Sequence, residues 1–358
     1  MTEVAYAGAG GAAYTGTALL GSLGHGVTMW SPGGEKTEAF RRGEKLTASG
    51  YINGTFDVKV AESAADLAAA ADLILLAVPA YAQKPVIDRL LPHLADRHTI
   101  VISGGPASGG ALYLAKVLAD AGKTAKVGLM GGPMIGGRRV SPTETATAPF
   151  RTMAPIAGIP FSDTDAIIAT LEEVYGKRFR KPASGNAFEI AISTINGVVH
   201  APQALLNITR IEEAEAWCGY RYTTESVGIL TEAIDADRVA IAKALGYDLP
   251  GVVRHFDPSG KAQSAYEIIH ATRLKRTFKA GPRNINTRYI EEELPYNLCV
   301  LEAVGAKLGV PTPMITNMIN IYNATRRKDY RAMNVFDDEL GLRAKPIEEI
   351  VALWKNGF

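Results

Sequence analysis

A chain of 358 residues with 47% hydrophobic and 21% charged side chains is long enough to bury more than one core, so two or three globular domains are expected. Thirty-eight basic residues stand against 37 acidic ones, so no global field recruits nucleic acid or an anionic membrane surface, and small molecules are the expected partners. Cys218 and Cys299 match no metal or redox spacing, no apolar run is long enough to span a bilayer, and the N-terminus lacks the basic flank and apolar block of a secretion signal. A cytoplasmic protein with no bound metal is the expectation.

In chain order, Val4 to Ala7 reads as a short buried strand. The glycine-rich "AYAGAGGAAYTG" (5 to 16) comes next, then a helix from Ala12 to Leu23 that stops at Gly24-His25-Gly26, and a second strand from Val27 to Trp30. Glycine turns alone need only backbone freedom, but strand, glycine turn, helix and strand in this order frame a dinucleotide fingerprint. In that reading Gly8 makes the sharp turn, Gly10 lets the pyrophosphate approach, and Ala13 stands where helix and strand pack closely. The amides beyond Gly10, at Gly11 and Ala12, hold the anion at the positive end of the helix dipole. The second strand ends at Ser31 rather than at an acid. This removes both a ribose acceptor and the repulsion against a 2′-phosphate, so NADP(H) is favoured with NAD(H) possible. Ser31 is expected to meet that phosphate, and Lys36, Arg41 or Arg42 to supply charge. The alternative for "EAFRRGEK" is a solvated helix face.

The alternation continues with apolar strands in "DLILLAVPA" (72 to 80) and "HTIVISGGPASGG" (98 to 110), and with helical segments near 82 to 95 and 110 to 121. Together they predict a parallel sheet covered on both faces, with ligand-facing loops at the strand C-termini. Val78, Pro79, Ala80, Gly104 and Gly105 fall at such ends, where the nicotinamide is expected. "KVGLMGGPMIGG" (126 to 137) reads as one more strand and a flexible loop. From about residue 185 long helical periodicities take over: Val239, Ala242 and Leu245 share a face, as do Leu298, Leu301, Val304 and Leu308. The expected architecture is α/β, an N-terminal Rossmann doubly wound parallel sheet over 1–183 and a C-terminal all-helical domain over 184–358. The break lies in "FRKPASGN" (179 to 186), and the apolar helical faces suggest a homodimer.

Two stretches of the second half carry polar groups where packing alone would not place them. In "STINGVVHAPQALLN", Asn196, His200 and Asn207 are spaced to project from one side of a helix. A histidine so placed is either a hydrogen-bonded structural residue or an acid–base group. "GPRNINTRYIEEELPYNL" sets Arg288 beside Tyr289 and before Glu291, Glu292 and Glu293. It is either an exposed charged turn or a guanidinium for a carboxylate with an acid to orient an imidazole.

With these residues in view, the chain resembles an opine dehydrogenase of the octopine/nopaline dehydrogenase type. The likeness runs through the N-terminal glycine motif, "VPA" (78 to 80), "SGGPASGGAL" (103 to 112), "NGVVHAPQALLN" (196 to 207), "DADRVAIAKALG" (235 to 246), "NTRYIEEELPYNL" and "GVPTP". The resemblance implies that His200 is the catalytic acid and base and that Glu293, where relatives usually carry aspartate, is its partner. It also implies that Arg288 binds the oxo-acid carboxylate and that Asn196 lies next to nicotinamide and substrate. The implied reaction is the reductive condensation of a 2-oxo acid with the amine of an amino acid, using NAD(P)H. Two alternatives stand beside it: a 2-oxo-acid reductase like ketopantoate reductase, needing no amine, and a dinucleotide-binding sensor without chemistry. Specificity for the amine is expected in part from "AWCGYRYTTES" (216 to 226).

Overall fold

The apolar runs of the first half become neighbouring strands in the computed structural model, which describes residues 1–272 and 280–358. The strands are β1 (Glu3–Ala7), β2 (Gly26–Trp30), β3 (Leu46–Gly50), β4 (Gly54–Phe56), β5 (Lys59–Val60), β6 (Leu73–Leu76), β7 (Thr99–Ile102), β8 (Lys126–Met130), β9 (Ile135–Arg139), β10 (Glu144–Phe150), β11 (Ala154–Gly158) and β12 (Phe179–Arg180). One sheet has the order β12-β11-β8-β7-β6-β1-β2-β5 and a second the order β4-β3-β10-β9.

In the large sheet β1, β2, β6, β7 and β8 are parallel, with Ala5 opposite Thr28 on one side and Ile74 on the other. Such strands are buried on both faces, which is why their sequences are unbroken apolar runs. The expected all-parallel order ends at β8, because β11 joins it antiparallel. The chain reaches β11 from the β9–β10 hairpin without a crossover helix, and an antiparallel partner needs none.

The second sheet corrects the expected flexible loop: Ile135, Gly136 and Gly137 belong to β9. It covers the Gly11–Ser22 helix, whose residues Ala13 to Leu20 are all buried. A helix packed on several sides carries small residues around its whole circumference rather than one apolar stripe. Gly137 has φ +153°, and a Cβ there would lie 2.5 Å from Thr15 Cγ2, so only glycine lets β9 run this close.

The chain divides into two compact units, Met1–Ile190 with Glu349–Phe358, and Ala191–Glu348. This differs from the expected 1–183 and 184–358 at both ends. Phe188 stacks on Trp354 with ring centroids 5.6 Å apart, and Asn186 Nδ2 donates to the Val351 carbonyl at 3.0 Å. The last residues therefore pack with the first unit.

Among the described residues the second unit holds helices and no named strand, its longest helices being Glu225–Ala244 and Pro313–Arg326. The first of these buries Ile234, Arg238, Ile241 and Ala242, while the expected Val239 and Leu245 are only half-buried, as is Leu308 further on. A polar tie displaces the apolar face here. Arg238 pairs with Asp235 at 2.6 Å, and Asp237 accepts the Met314 and Ile315 amides at 2.8 and 2.9 Å, fastening one helix to the start of the other.

Candidate active site

The first unit supplies a cradle. Gly8 (φ +131°) leaves β1 so close to the end of β6 that a Cβ would lie 2.5 Å from the Ala77 carbonyl oxygen. Its amide donates to the Trp30 carbonyl at 2.8 Å. Gly10 caps the Gly11–Ser22 helix in an extended conformation (φ −92°, ψ −173°), and a Cβ there would meet nothing within 4 Å. The space before the helix is open. The first-turn amides at Gly11, Ala12 and Ala13 have no acceptor within the helix, so they and the helix dipole face that space as anion donors.

Gly104 and Val78 adjoin at the ends of β7 and β6, a Cβ on Gly104 lying 3.5 Å from the Val78 carbonyl oxygen, and Gln83 Nε2 holds the Gly104 carbonyl at 2.8 Å. Pro79 caps the helix that begins at the buried Ala80. Gly8, Val78 and Gly104 thus meet at the C-terminal ends of adjacent parallel strands, where open α/β sheets bind ligands. The donors, the space at Gly10 and the glycine approach at Gly8 fit a dinucleotide.

Ser31 follows β2 and is partly exposed, and Lys36 lies exposed in the short turn Glu35–Thr37. Arg41 pairs with Glu38 and Glu62, and Arg42 with Glu44. Of the two readings of "EAFRRGEK", the solvated charged face is the one observed. Sequence reasoning missed Arg138 and Arg139 on β9, whose backbone passes 3.4 Å from where a Gly11 Cβ would be. Only the tertiary packing of the second sheet reveals them.

The second unit supplies an acid–base pair. The helix Asn196–Leu205 carries His200, whose Nδ1 lies 3.0 Å from Glu293 Oε1. Glu293 is 3% exposed. Burial pushes its carboxyl up to about 7, against the opposing pull of the Arg288 guanidinium. Two local features bring the groups together. A Cβ on Gly197 would lie 2.7 Å from Asn297 Oδ1, so glycine lets the histidine helix approach the Leu294–Leu298 segment. That segment is a π-turn, with the Leu298 amide bonded to the Glu293 carbonyl at 2.9 Å. Pro295 lacks the amide that an ordinary helix would use, and the wider turn follows.

The neighbours of Glu293 do different work. Glu291 binds Lys328 and the Tyr330 hydroxyl, and Glu292 takes Arg288 Nε at 2.8 Å. Arg288 is 53% exposed, and its two terminal nitrogens have no hydrogen-bond partner among the described residues. Tyr289 lies parallel to the His200 ring, centroids 3.9 Å and planes 5° apart. Sequence reasoning gave Tyr289 no role, although its place beside Arg288 was the available signal.

Asn196 starts the same helix one turn before His200. Asn207 does not continue the stripe: the helix ends at Leu205, and Asn207 Nδ2 turns back to the Gln203 carbonyl at 2.9 Å. In the stretch expected to tune specificity, Trp217, Cys218, Tyr220 and Thr223 are buried. Trp217 Nε1 donates to the Pro282 carbonyl at 2.7 Å, so much of this stretch is core. Among the described residues no cluster suits a metal ion, and no helix is long and apolar enough to cross a membrane.

A glycine cradle on a parallel sheet and a helical unit bearing a His–Glu pair are the parts of a dinucleotide-dependent dehydrogenase. Known proteins narrow this class. Residues 3–141 match the family described as NAD-dependent glycerol-3-phosphate dehydrogenase N-terminus, and residues 183–326 match the NAD/NADP octopine/nopaline dehydrogenase, alpha-helical domain. A protein named opine dehydrogenase from Arthrobacter sp. (strain 1C) is 27% identical over 341 residues, covering 94% of each chain. The chain is thus similar over nearly its whole length to an opine dehydrogenase, and its helical part matches the octopine/nopaline dehydrogenase family. Two solved structures show the same fold: octopine dehydrogenase with NADH and agmatine (TM-score 0.74, 16% identity, 98% of each chain covered) and yersinopine dehydrogenase with NADP+ (TM-score 0.70, 15% identity, 99% of this chain and 98% of that one).

Proposed function

We propose that this protein catalyses the NAD(P)H-dependent reductive condensation of a 2-oxo acid, pyruvate or a close relative, with the amine of an amino acid, giving an N-(carboxyalkyl)amino acid. The observation that carries the reading is the 3.0 Å contact between His200 and the buried Glu293, with Arg288 in the turn immediately before Glu293. Pyruvate and arginine are named with octopine dehydrogenase structures of this fold.

The bound nicotinamide supplies a hydride. His200 takes one proton from the substrate ammonium, so that the free amine attacks C2 of the oxo acid. A second proton passes from the attacking nitrogen to the former keto oxygen, and His200 returns the first to that oxygen, which departs as water and leaves an iminium. Glu293 fixes the imidazole tautomer and, when ionised, stabilises the imidazolium. Arg288 offers its two terminal nitrogens to the oxo-acid carboxylate, an orienting contact. Asn196, one turn before His200, holds the substrate or the nicotinamide amide. Positioned proton transfer of this kind is worth roughly 10²- to 10⁴-fold in rate. For the cofactor we take NADP(H) as preferred, because Ser31 stands where an acid would bind the NAD ribose.

The test is NADPH oxidation with a matrix of oxo acids and amino acids, reading product mass. Turnover that needs both substrates supports the reading. Turnover with the oxo acid alone would make the protein a simple reductase, and cofactor binding without consumption across the matrix would make it a sensor.

A further inference from the structure

The helix that faces the dinucleotide has no acidic residue in its first turn, and a second source of positive charge lies beside it. β9 runs across this end of the helix, and a Cβ on Gly11 would lie 3.4 Å from Arg138 Cα and from the Arg139 nitrogen. Side chains alternate along a strand. Gly137 meets Thr15 on the helix, so Arg139 shares that face, and its guanidinium stands over the Tyr14 ring, 5.1 Å from the centroid. Arg139 Nε donates to the Ser141 carbonyl at 3.1 Å, fixing the fork. The Tyr14 hydroxyl reaches the carbonyls of Lys36 and Pro142, at 2.8 and 2.9 Å. It thereby ties the turn after β9 to the loop that begins at Ser31. Arg139 is fixed where three features meet: the first turns of the helix, the β9–β10 hairpin and the loop after β2.

Its electrostatic state differs from that of the other cations nearby. Arg41 and Arg42 are neutralised by Glu38, Glu62 and Glu44, whereas among the described residues no carboxylate pairs with Arg139 or Lys36. A guanidinium held near the positive end of a helix without a counterion is disfavoured unless an anion arrives. The pyrophosphate accounts for the amides before the helix. A phosphate monoester on the adenosine ribose, beside Ser31, accounts for the charge on the hairpin side.

We propose that Arg139 is the specificity-determining residue that receives the 2′-phosphate of NADP(H), in the role that a basic residue after β2 would otherwise fill. This rests on the reading that NADP(H) is the preferred cofactor. The test compares wild type, Arg139→Gln, Arg139→Lys and Arg41→Gln by direct binding titration of NADPH, NADH, adenosine 2′,5′-bisphosphate and AMP, with circular dichroism to establish that each variant folds. In Arg139→Gln, NADPH affinity should fall about tenfold or more, the scale of a lost charge-assisted hydrogen bond, while NADH affinity stays within about twofold. The bisphosphate should lose most of its advantage over AMP, and the salt dependence of NADPH binding should flatten. Arg139→Lys should retain part of the advantage, and Arg41→Gln all of it.

Equal loss for NADPH and NADH would overturn the proposal by assigning Arg139 to the shared part of the cofactor. No change in either would overturn it too. A wild type that binds NADPH no more tightly than NADH would defeat the preference reading, yet the bisphosphate-to-AMP ratio still decides Arg139. A ratio that Arg139→Gln lowers upholds the contact, and a wild-type ratio near one removes it.

Discussion

At the scale of single residues the proposed chemistry turns on Glu293, which a spacing argument could name only through its neighbours. Three adjacent glutamates look equivalent in "IEEEL", yet each meets a different cation or ring, and only the tertiary contact separates them. Burial raises the Glu293 carboxyl from 4.5 to about 7, so the folded state holds that proton more tightly than the unfolded chain does. The group's contribution to stability is then complete below about pH 4.5 and is lost as pH rises towards 7. Glutamine does not ionise. Relative to wild type, Glu293→Gln should therefore gain about 2–3 kcal/mol between pH 4.5 and 8, at 1.36 kcal/mol per pKa unit; urea unfolding at both pH values measures it. A constant difference would mean that the carboxyl does not titrate in this range. The same variant should turn over more slowly with an altered pH profile, because the imidazolium loses its counter-charge. For Arg288→Lys the Michaelis constant of the oxo acid should rise at least about tenfold, since an ammonium cannot reproduce a two-pronged contact. An unchanged constant would assign the carboxylate to another cation.

Among elements, those defined by local order were legible and those defined by partners were not. Strand, glycine turn and helix follow one another within the first 30 residues, with Gly8 at the turn, Gly10 capping the helix and Ala13 buried, because close backbone approach selects small residues at fixed spacing. The second sheet was not legible. β9 begins "IGGRR" and β10 carries buried Thr145 and Thr147, with neither an apolar run nor a clean alternation. Asn207 was misplaced because the helix stops at Leu205. The approach of the histidine helix to the π-turn gives a prediction at this scale. In Gly197→Ala the new methyl would meet the buried Asn297, costing about 1–3 kcal/mol for overpacking against a helix-propensity gain of at most about 1 kcal/mol. Stability by urea and turnover should fall together, because the segment that moves carries Glu293. If both stay at wild-type values, the contact has slack and does not position the acid.

For the whole molecule, the sequence pattern separated a sheet-bearing first part from a helical second part but traced the chain path only in part. The cradle lies in the first unit and the His–Glu pair in the second. The return of Glu349–Phe358 to the first unit depends on the Trp354–Phe188 stack, and helical periodicity says nothing about which unit an apolar face will meet. The central claim is that hydride reaches a carbon already joined to an amine. Its most direct measurement is mass analysis of the product formed from pyruvate, an amino acid and NADPH carrying deuterium at the transferable position. The account predicts a secondary amine dicarboxylate with one deuterium on the former C2 of pyruvate. A deuterated 2-hydroxy acid, formed whether or not the amine is present, would contradict it.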